Sequence, residues 1–225
     1  MLSQISQQAF PRPFLKWAGG KSKLIPQIRI YLPEPHTYKK YYEPFLGGGA
    51  VFFYLQPCAA ILTDVNSELI ATYNCVKDNL EDLIAQLKIH AYHHSKEYYY
   101  TLRETKVKTD LEQAARLIYL NKTCFNGLYR VNSKGKFNVP LGRYKNPNIC
   151  PIDLLLSASD GLQSAQIKQA DFSDVLNHAT SSDDFVFFDP PYHPISSTSY
   201  FTTYSRNSFS KDDQIRLRDT CAYPG

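Results

Sequence analysis

A glycine-rich turn between two short apolar segments constrains the fold of this chain more than any other feature of its sequence. Residues 41–45 are apolar enough for a buried strand, and they lead through Gly47, Gly48 and Gly49 into a short helical stretch, residues 50–55. A second apolar run, residues 60–63, ends at Asp64. Glycines permit positive φ and let a ligand approach the backbone. This order of strand, turn, helix, strand and carboxylate is typical of a nucleoside-binding unit in a parallel α/β sheet, where the carboxylate bonds ribose hydroxyls.

Two further segments predict additional strands of the same sheet, and the second of them is an apolar run. Residues 164–170 lead to Asp171 and Phe172, and residues 185–188 lead directly to Asp189. Apolar residues recur near a 3.6-residue period in residues 68–90 and 97–120, which predicts helices there. We therefore expect an α/β protein with parallel strands. A purely structural tight turn remains an alternative for the glycines taken alone, and a nicotinamide oxidoreductase is disfavoured because Phe52 replaces the third glycine of the dinucleotide fingerprint.

The tetrapeptide Asp189-Pro190-Pro191-Tyr192 predicts a rigid exit from the sheet. Proline lacks an N–H donor and fixes φ, so the strand cannot continue through it. The exit holds two acceptors, the Asp189 carboxylate and the Pro190 carbonyl, beside the Tyr192 ring. Acceptors on both hydrogens of an exocyclic amino group favour a pyramidal nitrogen with an available lone pair, and an aromatic ring can stack on the base. A proline turn after a buried strand is the simpler alternative.

The positive charge of the chain is concentrated in one segment. Lys and Arg number 25 against 21 Asp and Glu, so the net charge of +4 is too small by itself to indicate a polyanion-binding protein. Residues 121–150, however, contain six cationic residues and no acidic ones, so the other residues together carry a charge of −2. Glycines and prolines divide this segment, and Asn132-Ser133-Lys134-Gly135 lies where a hairpin turn is expected. The segment is either a basic, solvated hairpin or a surface for a polyanion.

Several classes of protein and site are disfavoured. No apolar run approaches the roughly 20 residues of a membrane span, and the N-terminus lacks a signal-peptide pattern, so we expect a cytoplasmic protein without membrane contact. The five cysteines are odd in number and widely spaced, which predicts reduced thiols that serve in packing. His90, His93 and His94 share a helix face without a further ligand, so we expect a solvated helix end and no metal. We also expect a monomer.

Five segments, taken in order, resemble the Dam family of DNA adenine-N6 methyltransferases. They are residues 14–21 (FLKWAGGK), 45–49 (FLGGG), 64–66 (DVN), 125–130 (FNGLYR) and 189–192 (DPPY), and the resemblance extends from about Pro13 to Arg218. It implies a class I methyltransferase fold, a Rossmann-like doubly wound sheet with an inserted basic target-recognition subdomain. The implied cofactor is S-adenosyl-L-methionine, and the implied substrate is double-stranded DNA. The expected division is a disordered tail (1–12), a catalytic domain (13–90 and 151–225) and a recognition subdomain (91–150).

The resemblance also assigns roles to individual residues. The cofactor-binding residues are Trp17, Lys21, Phe45, Gly47, Gly49, Asp64, Asp171, Phe172 and Asp189, of which Asp171 would bond the adenine amino group and Phe172 would stack on the adenine ring. The catalytic residues are Asp189, Pro190, Pro191 and Tyr192. The DNA-binding residues are Phe125, Asn126, Leu128, Arg130, Lys134, Asn138, Pro140 and Arg143. Apart from the resemblance, Asp171 is equally well explained as a helix N-cap.

Within the DNA-binding set, the resemblance distinguishes two tasks. Phe125 and Asn126 would fill the gap that a flipped adenine leaves in the duplex. Leu128, Arg130 and Pro140 match the positions that touch base edges in family members that recognise GATC, so GATC is the expected target. An arginine bidentate to guanine contributes roughly 1–3 kcal/mol of discrimination.

The chain departs from the family pattern at its C-terminal end. Only 33 residues follow Tyr192, whereas family members continue well past this point, so we expect the closing strands of the sheet to be missing and one edge to be aggregation-prone. A catalytically impaired member that binds DNA without modifying it is therefore an alternative. A methyltransferase of RNA or of protein glutamine is another, although its tetrapeptide is more often Asn-Pro-Pro-Tyr. Asp189 and the basic insertion favour DNA adenine.

Overall fold

The computed structural model describes residues 10–191 and 209–222, and a parallel sheet lies at its centre. Its strands are β1 (Lys40–Glu43), β2 (Ala60–Asp64), β3 (Ala165–Gln169) and β4 (Asp184–Val186). They lie in the order β3-β2-β1-β4, and every neighbouring pair is parallel. The mixed α/β architecture confirms the predicted fold class. Each strand lies within two residues of its predicted position.

Eight α-helices accompany this sheet in the described ranges. They are α1 (Ile25–Ile28), α2 (Ala50–Leu55), α3 (Ser67–Asp78), α4 (Leu80–Tyr92), α5 (Lys96–Glu104), α6 (Asp110–Thr123), α7 (Ile152–Leu162) and α8 (Lys211–Cys221). The bounds of α2 agree with the prediction, because the glycine turn and the next strand fix both of its ends.

The two long helices predicted from periodicity are each divided. Residues 68–90 form α3 and α4, because Asn79 has non-helical φ and ψ between them. Residues 97–120 form α5 and α6, and α6 begins at a capping box in which the Thr109 side chain accepts from the Glu112 N–H. The predicted end of this helix at residue 120 was also wrong, since α6 continues to Thr123.

The register of the sheet places all four strand exits at one edge. Tyr42 lies opposite Ile61 of β2 and Val186 of β4, and Asp64 lies opposite Gln169 of β3. The glycine turn, the loop after Asp64, the turn at Asp171 and the exit at Asp189 therefore follow strands that end on the same side. This is the edge at which parallel α/β sheets bind ligands.

The larger of two apolar clusters joins the sheet to the helices of the insertion. The helix α6 packs against α3 and α4, and its Ala114, Ile118 and Tyr119 are fully buried in the same cluster as Leu62 of β2. Fully burying a side chain such as that of Ile118 or Leu62 contributes roughly 1.5–3 kcal/mol to stability. The first part of the predicted recognition subdomain thus shares its core with the predicted catalytic domain, and the division into domains remains a prediction.

The cysteine prediction was correct only in part. All five cysteines are free thiols, but only Cys75 and Cys124 are buried and Cys150 is half-buried. Cys58 and Cys221 are exposed, so describing them as packing residues was wrong. Cys58 lies in the loop between α2 and β2, and Cys221 is the last residue of α8.

The histidines near the end of α4 are not a fully solvated group. His90 is buried, and its Nδ1 is 2.7 Å from the Tyr98 hydroxyl, while His94 Nδ1 is 2.9 Å from the Tyr119 hydroxyl. The expectation of a solvated helix end was wrong for His90, because α5 folds back and supplies a tyrosine partner. Within residues 10–191 and 209–222, no cluster of three or more His, Cys, Asp or Glu side chains is placed to hold a metal. None of the helices described has the length and apolar character needed to cross a bilayer.

Candidate active site and nucleic-acid interface

The glycine turn and Asp64 meet at the carboxyl edge of the sheet. Asp64 Oδ2 accepts from the Gly47 N–H at 3.1 Å, and its Oδ1 accepts from the Asn66 N–H at 2.9 Å. Burial raises the pKa of Asp64, and these backbone donors act in the opposite direction. Gly47 has a φ of +47°, and a Cβ there would lie 3.0 Å from Trp17 Cδ1. Gly49, with a φ of +63°, begins α2. The turn is thus held close to both a carboxylate and an indole ring.

Asp171 and two phenylalanines lie beyond the next strand. The rings of Phe45 and Phe172 stack with centroids 5.4 Å apart and planes 22° from parallel. Asp171 is the N-cap of the 3₁₀ turn Phe172–Asn177, as its simpler interpretation predicted. Arg216 of α8 donates to Asp171 Oδ1 at 2.5 Å, and its guanidinium lies 4.8 Å from the Phe172 centroid. Because Phe45 and Arg216 both pack on Phe172, a base that stacks on this ring has to displace one of them.

Asp189, at the exit of β4, is paired with a lysine from the N-terminal motif. Lys21 Nζ is 2.5 Å from Asp189 Oδ2 and also donates to the Gly19 carbonyl at 2.7 Å. The two side chains are only 13% and 23% exposed, and a charge-assisted hydrogen bond is strong under such partial burial. Pro190 and Pro191 follow Asp189, whereas Tyr192 lies outside the described residues. Sequence reasoning missed this pairing, since 168 residues separate its members.

A buried carboxyl group that the sequence analysis also missed lies beneath the glycine turn. Glu43 ends β1, is 3% exposed, and accepts a hydrogen bond from the Tyr41 hydroxyl at 2.8 Å. Burial raises the pKa of Glu43 to about 8, and the nearby Asp189 carboxylate adds a smaller effect in the same direction. A carboxylate inside an otherwise apolar strand was the signal in the sequence that could have identified it.

The basic insertion forms an irregular antiparallel hairpin. Cys124 bridges to Leu141 and Val131 to Phe137, and the predicted turn is closed by the Gly135 N–H, which donates to the Asn132 carbonyl at 2.8 Å. The predicted hairpin turn is confirmed. Further backbone bonds between the two halves hold the segment in shape although it forms no continuous ladder.

Side chains of the hairpin alternate between the core and the surface. The side chains of Tyr129, Phe137 and Val139 are buried, and the backbone of Gly127 is buried as well. The residues predicted to contact DNA are exposed or half-buried; Phe125, Asn126, Leu128, Lys134, Pro140 and Arg143 are exposed, and Arg130 and Asn138 are half-buried. Arg130 is held in place, because its Nε donates to Asn138 Oδ1 at 2.7 Å and its Nη2 donates to the Asn138 carbonyl at 3.3 Å.

Lys122 is an exception among the cations of the insertion. Its Nζ donates to the Phe14 carbonyl at 2.5 Å, towards the core, and burial lowers its pKa to about 8. The outward basic surface therefore consists of the other five cations, which are Arg130, Lys134, Lys136, Arg143 and Lys145.

Two further buried side chains connect the hairpin to the N-terminal motif. The Asn121 amide accepts from the Lys16 N–H at 2.9 Å and donates to the carbonyls of Lys16 at 2.7 Å and Gly127 at 3.0 Å. Tyr129 stacks on Trp17 with centroids 4.8 Å apart. The sequence analysis assigned a role to neither side chain. A polar residue within the apolar stripe of α6 was a usable signal for Asn121, whereas nothing local indicated the partner of Tyr129.

Comparison with known proteins agrees with this arrangement. The family model of the D12 class N6 adenine-specific DNA methyltransferases matches residues 17–224. The Type II methyltransferase M1.LlaDCHI of Lactococcus lactis subsp. cremoris is 49% identical, over 92% of this chain and 75% of its own length. The Type II methyltransferase M.MjaIII of Methanocaldococcus jannaschii is 44% identical, with coverages of 92% and 78%. The DNA adenine methylase of Serratia marcescens is 39% identical, with coverages of 92% and 76%.

The chain thus spans about three quarters of the length of these relatives. The match to the family model covers the basic hairpin and also the glycine turn, Asp64 and Asp189, which the structure brings to one edge of the sheet. The resemblance inferred from the sequence is thereby confirmed, and the chain belongs to the D12 class of N6 adenine-specific DNA methyltransferases.

Proposed function

We propose that this protein transfers a methyl group from S-adenosyl-L-methionine to N6 of adenine within GATC in duplex DNA, the reaction of EC 2.1.1.72. The main support is the position of Asp189, which leaves β4 at the edge that also holds Asp64 and is fixed there by Lys21 at 2.5 Å. All of the proposed groups belong to one chain, so a monomer suffices for the reaction.

The residues at the sheet edge fit a nucleoside cofactor. Asp64 is held by two backbone N–H groups and offers carboxylate oxygens as acceptors for ribose hydroxyls. Asp171 and Phe172 offer an acceptor for an adenine amino group and an aromatic ring, once Arg216 has moved from both. S-adenosylmethionine supplies a methyl group on a sulfonium, whose positive charge already activates the leaving group.

In the proposed reaction, the chain acts on the adenine amino group. The Asp189 carboxylate and the Pro190 carbonyl accept its two N–H bonds, which draws the nitrogen towards a pyramidal geometry and directs its lone pair at the methyl carbon. Lys21 orients Asp189 for this task through their charge-assisted bond. As the N–C bond forms, the sulfur–methyl bond breaks and the amino group releases one proton, which Asp189 is placed to accept.

The hairpin provides the proposed contacts with DNA. Its five outward cations suit phosphate contacts, which make affinity depend on salt. Leu128, Arg130 and Pro140 occupy the positions that match GATC readers in the resembling family, and they lie on the accessible side of the hairpin. Phe125, 49% exposed, and Asn126 are the candidates for filling the space of the flipped adenine.

The test is tritiated methyl transfer to a GATC duplex by the purified 225-residue chain, with a GTTC duplex and the Asp189→Ala protein as controls. We expect label in GATC only and none with the variant. Specific GATC binding in a gel shift without any label would instead identify a family member that recognises DNA without modifying it. Label in both duplexes would refute the target assignment alone.

A further inference from the structure

We infer that Tyr129 is a positioning residue that couples recognition of the DNA sequence to cofactor binding, by linking the recognition hairpin to Trp17 through its ring and to Glu68 at the start of α3 through its hydroxyl. The inference rests on the proposed function, because it takes the hairpin as the DNA reader and Trp17 as a neighbour of the cofactor. It adds to that function a specific physical connection between the two ligands.

The first part of the connection is the aromatic pair itself. The rings of Trp17 and Tyr129 are 4.8 Å apart at 24°, an offset stack, and Tyr129 is only 5% exposed. Tyr129 lies between Leu128, which is exposed, and Arg130, which is half-buried and donates to Asn138. A movement of the backbone that seats Arg130 on a base is therefore transmitted directly to the ring on which Trp17 rests.

The second part is an anchor at the far end of the Tyr129 side chain. Burial raises the pKa of Tyr129, so the neutral phenol donates its proton to Glu68 Oε2 at 2.7 Å. Glu68 is paired with Arg116 at 3.3 Å, and Arg116 in turn donates to the carbonyls of Leu102 at 3.0 Å and Arg103 at 2.7 Å. Both charged groups are satisfied by these partners, so the acceptor for Tyr129 has a fixed position.

Glu68 also connects this anchor to the cofactor side of the sheet. It lies in the first turn of α3, whose N-cap Asn66 donates its backbone N–H to Asp64 Oδ1 at 2.9 Å. Tyr129 therefore contacts two elements next to the proposed cofactor site, the indole of Trp17 by stacking and the start of α3 by hydrogen bonding.

The Asn121 amide supports the connection at a separate point. It bonds both the N–H and the carbonyl of Lys16 and also the Gly127 carbonyl. Gly127 has a φ of +65°, and a Cβ there would lie 2.4 Å from Lys16 Cδ. Because the two segments are packed this closely, the hairpin cannot slide over the N-terminal motif independently, and Tyr129 and Trp17 move together.

The test measures the coupling between the two ligands by calorimetry. S-adenosylhomocysteine is titrated into the 225-residue chain alone and into the chain saturated with a GATC duplex. For the wild type we expect the duplex to tighten the binding of S-adenosylhomocysteine about tenfold, within the usual range for coupled sites. The coupling ratio is the dissociation constant of S-adenosylhomocysteine without the duplex divided by that with the duplex. Tyr129→Phe keeps the ring and removes the bond to Glu68, and in this variant we expect the coupling ratio to fall below roughly twofold.

Tyr119→Phe is the matched control. It also removes one phenolic hydroxyl from a buried tyrosine, but that hydroxyl bonds His94 and lies outside the proposed site. The control should keep the wild-type ratio. A second variant, Glu68→Gln, retains an oxygen that accepts from Tyr129 and should keep more of the coupling than Tyr129→Phe.

Fluorescence gives an independent readout, because Trp17 is the only tryptophan in the chain. Tyr129→Phe should change Trp17 emission and its quenching by acrylamide, and Tyr119→Phe should change neither. An unchanged ratio in Tyr129→Phe, or a wild type in which the duplex does not affect S-adenosylhomocysteine binding, would overturn the inference. Binding requires no turnover, so these outcomes are distinct from a wild type that fails to methylate GATC, which would count against the proposed function.

Discussion

Replacing the buried Glu43 with glutamine should remove most of a fall in the free energy of unfolding that occurs as pH rises towards 8. Burial raises the pKa of Glu43 from an ordinary value near 4.5 to about 8, so the native state holds a proton that the unfolded chain releases between these values. The native state therefore binds more protons in this interval, and its stability must fall as pH rises. This contribution is fully present below about pH 4.5 and is lost as pH rises through about 8.

The magnitude follows from proton linkage. With a pKa of about 8 in the native state and about 4.5 in the unfolded state, stability falls by roughly 2 kcal/mol between pH 6 and pH 8. That loss is a sizeable fraction of the roughly 5–15 kcal/mol that separates native from unfolded domains. Glutamine has almost the same shape as protonated glutamate and can still accept from the Tyr41 hydroxyl, so the variant should fold.

The assay is urea unfolding of the wild type and Glu43→Gln at pH 6, 7 and 8, followed by circular dichroism. The free energy of unfolding of the wild type should fall more steeply with pH, and the two proteins should differ in this fall by about 2 kcal/mol. Comparing the two slopes cancels the contributions of the other titrating groups, because both proteins contain them. One such group is Lys122, whose lowered pKa makes stability rise with pH. Parallel slopes would show that Glu43 is ionised in the native state and that the reasoning from its burial is wrong.

Three further substitutions test the interface and the cofactor site. Arg130→Ala should reduce discrimination between GATC and its single-base variants by roughly 1–3 kcal/mol and should lower the overall affinity for DNA less. Competition gel shifts with these variant duplexes would measure both effects. An equal loss of affinity for all duplexes would contradict a base-reading role for Arg130. Gly127→Ala should cost roughly 2 kcal/mol in urea unfolding, since φ is positive and the new Cβ meets Lys16; an unchanged midpoint would argue against the close packing. Arg216→Ala should tighten S-adenosylhomocysteine binding in calorimetry, and weaker binding would assign Arg216 to the cofactor itself.

The sheet could be predicted because its determinants are local. Three of the strands, β1, β2 and β4, come from short apolar runs that end near glycine, proline or a carboxylate, and parallel strands place such ends at one edge. The helices were less predictable, because the apolar period continues across Asn79 and no residue there forces a break. Thr109 and Glu112 have the spacing of a capping box, which is a local signal for the start of α6 that the sequence analysis did not use.

The candidate site was predictable in its motifs but not in its pairings. Glycine turns, Asp64 and the segment 189–192 are recognisable because each is a contiguous segment at a strand end. The bond between Lys21 and Asp189 and the packing of Arg216 on Phe172 join segments far apart in sequence, and many other charged residues could have been their partners. The burial that raises the pKa of Glu43 likewise depends on the packing of neighbouring elements.

The alternation of the hairpin has a consequence for specificity. Leu128 is exposed and Arg130 is half-buried, while Tyr129 between them is part of the core. Substitutions at Leu128 can therefore change the proposed base contacts at little cost in stability, because surface changes of this kind usually stay within about 0.5 kcal/mol. Substitution of Arg130 should lower stability more than substitution of Leu128, because the Arg130 guanidinium makes two hydrogen bonds to Asn138. Without Arg130, these two acceptors of Asn138 would bond water. Target specificity should consequently vary first at Leu128.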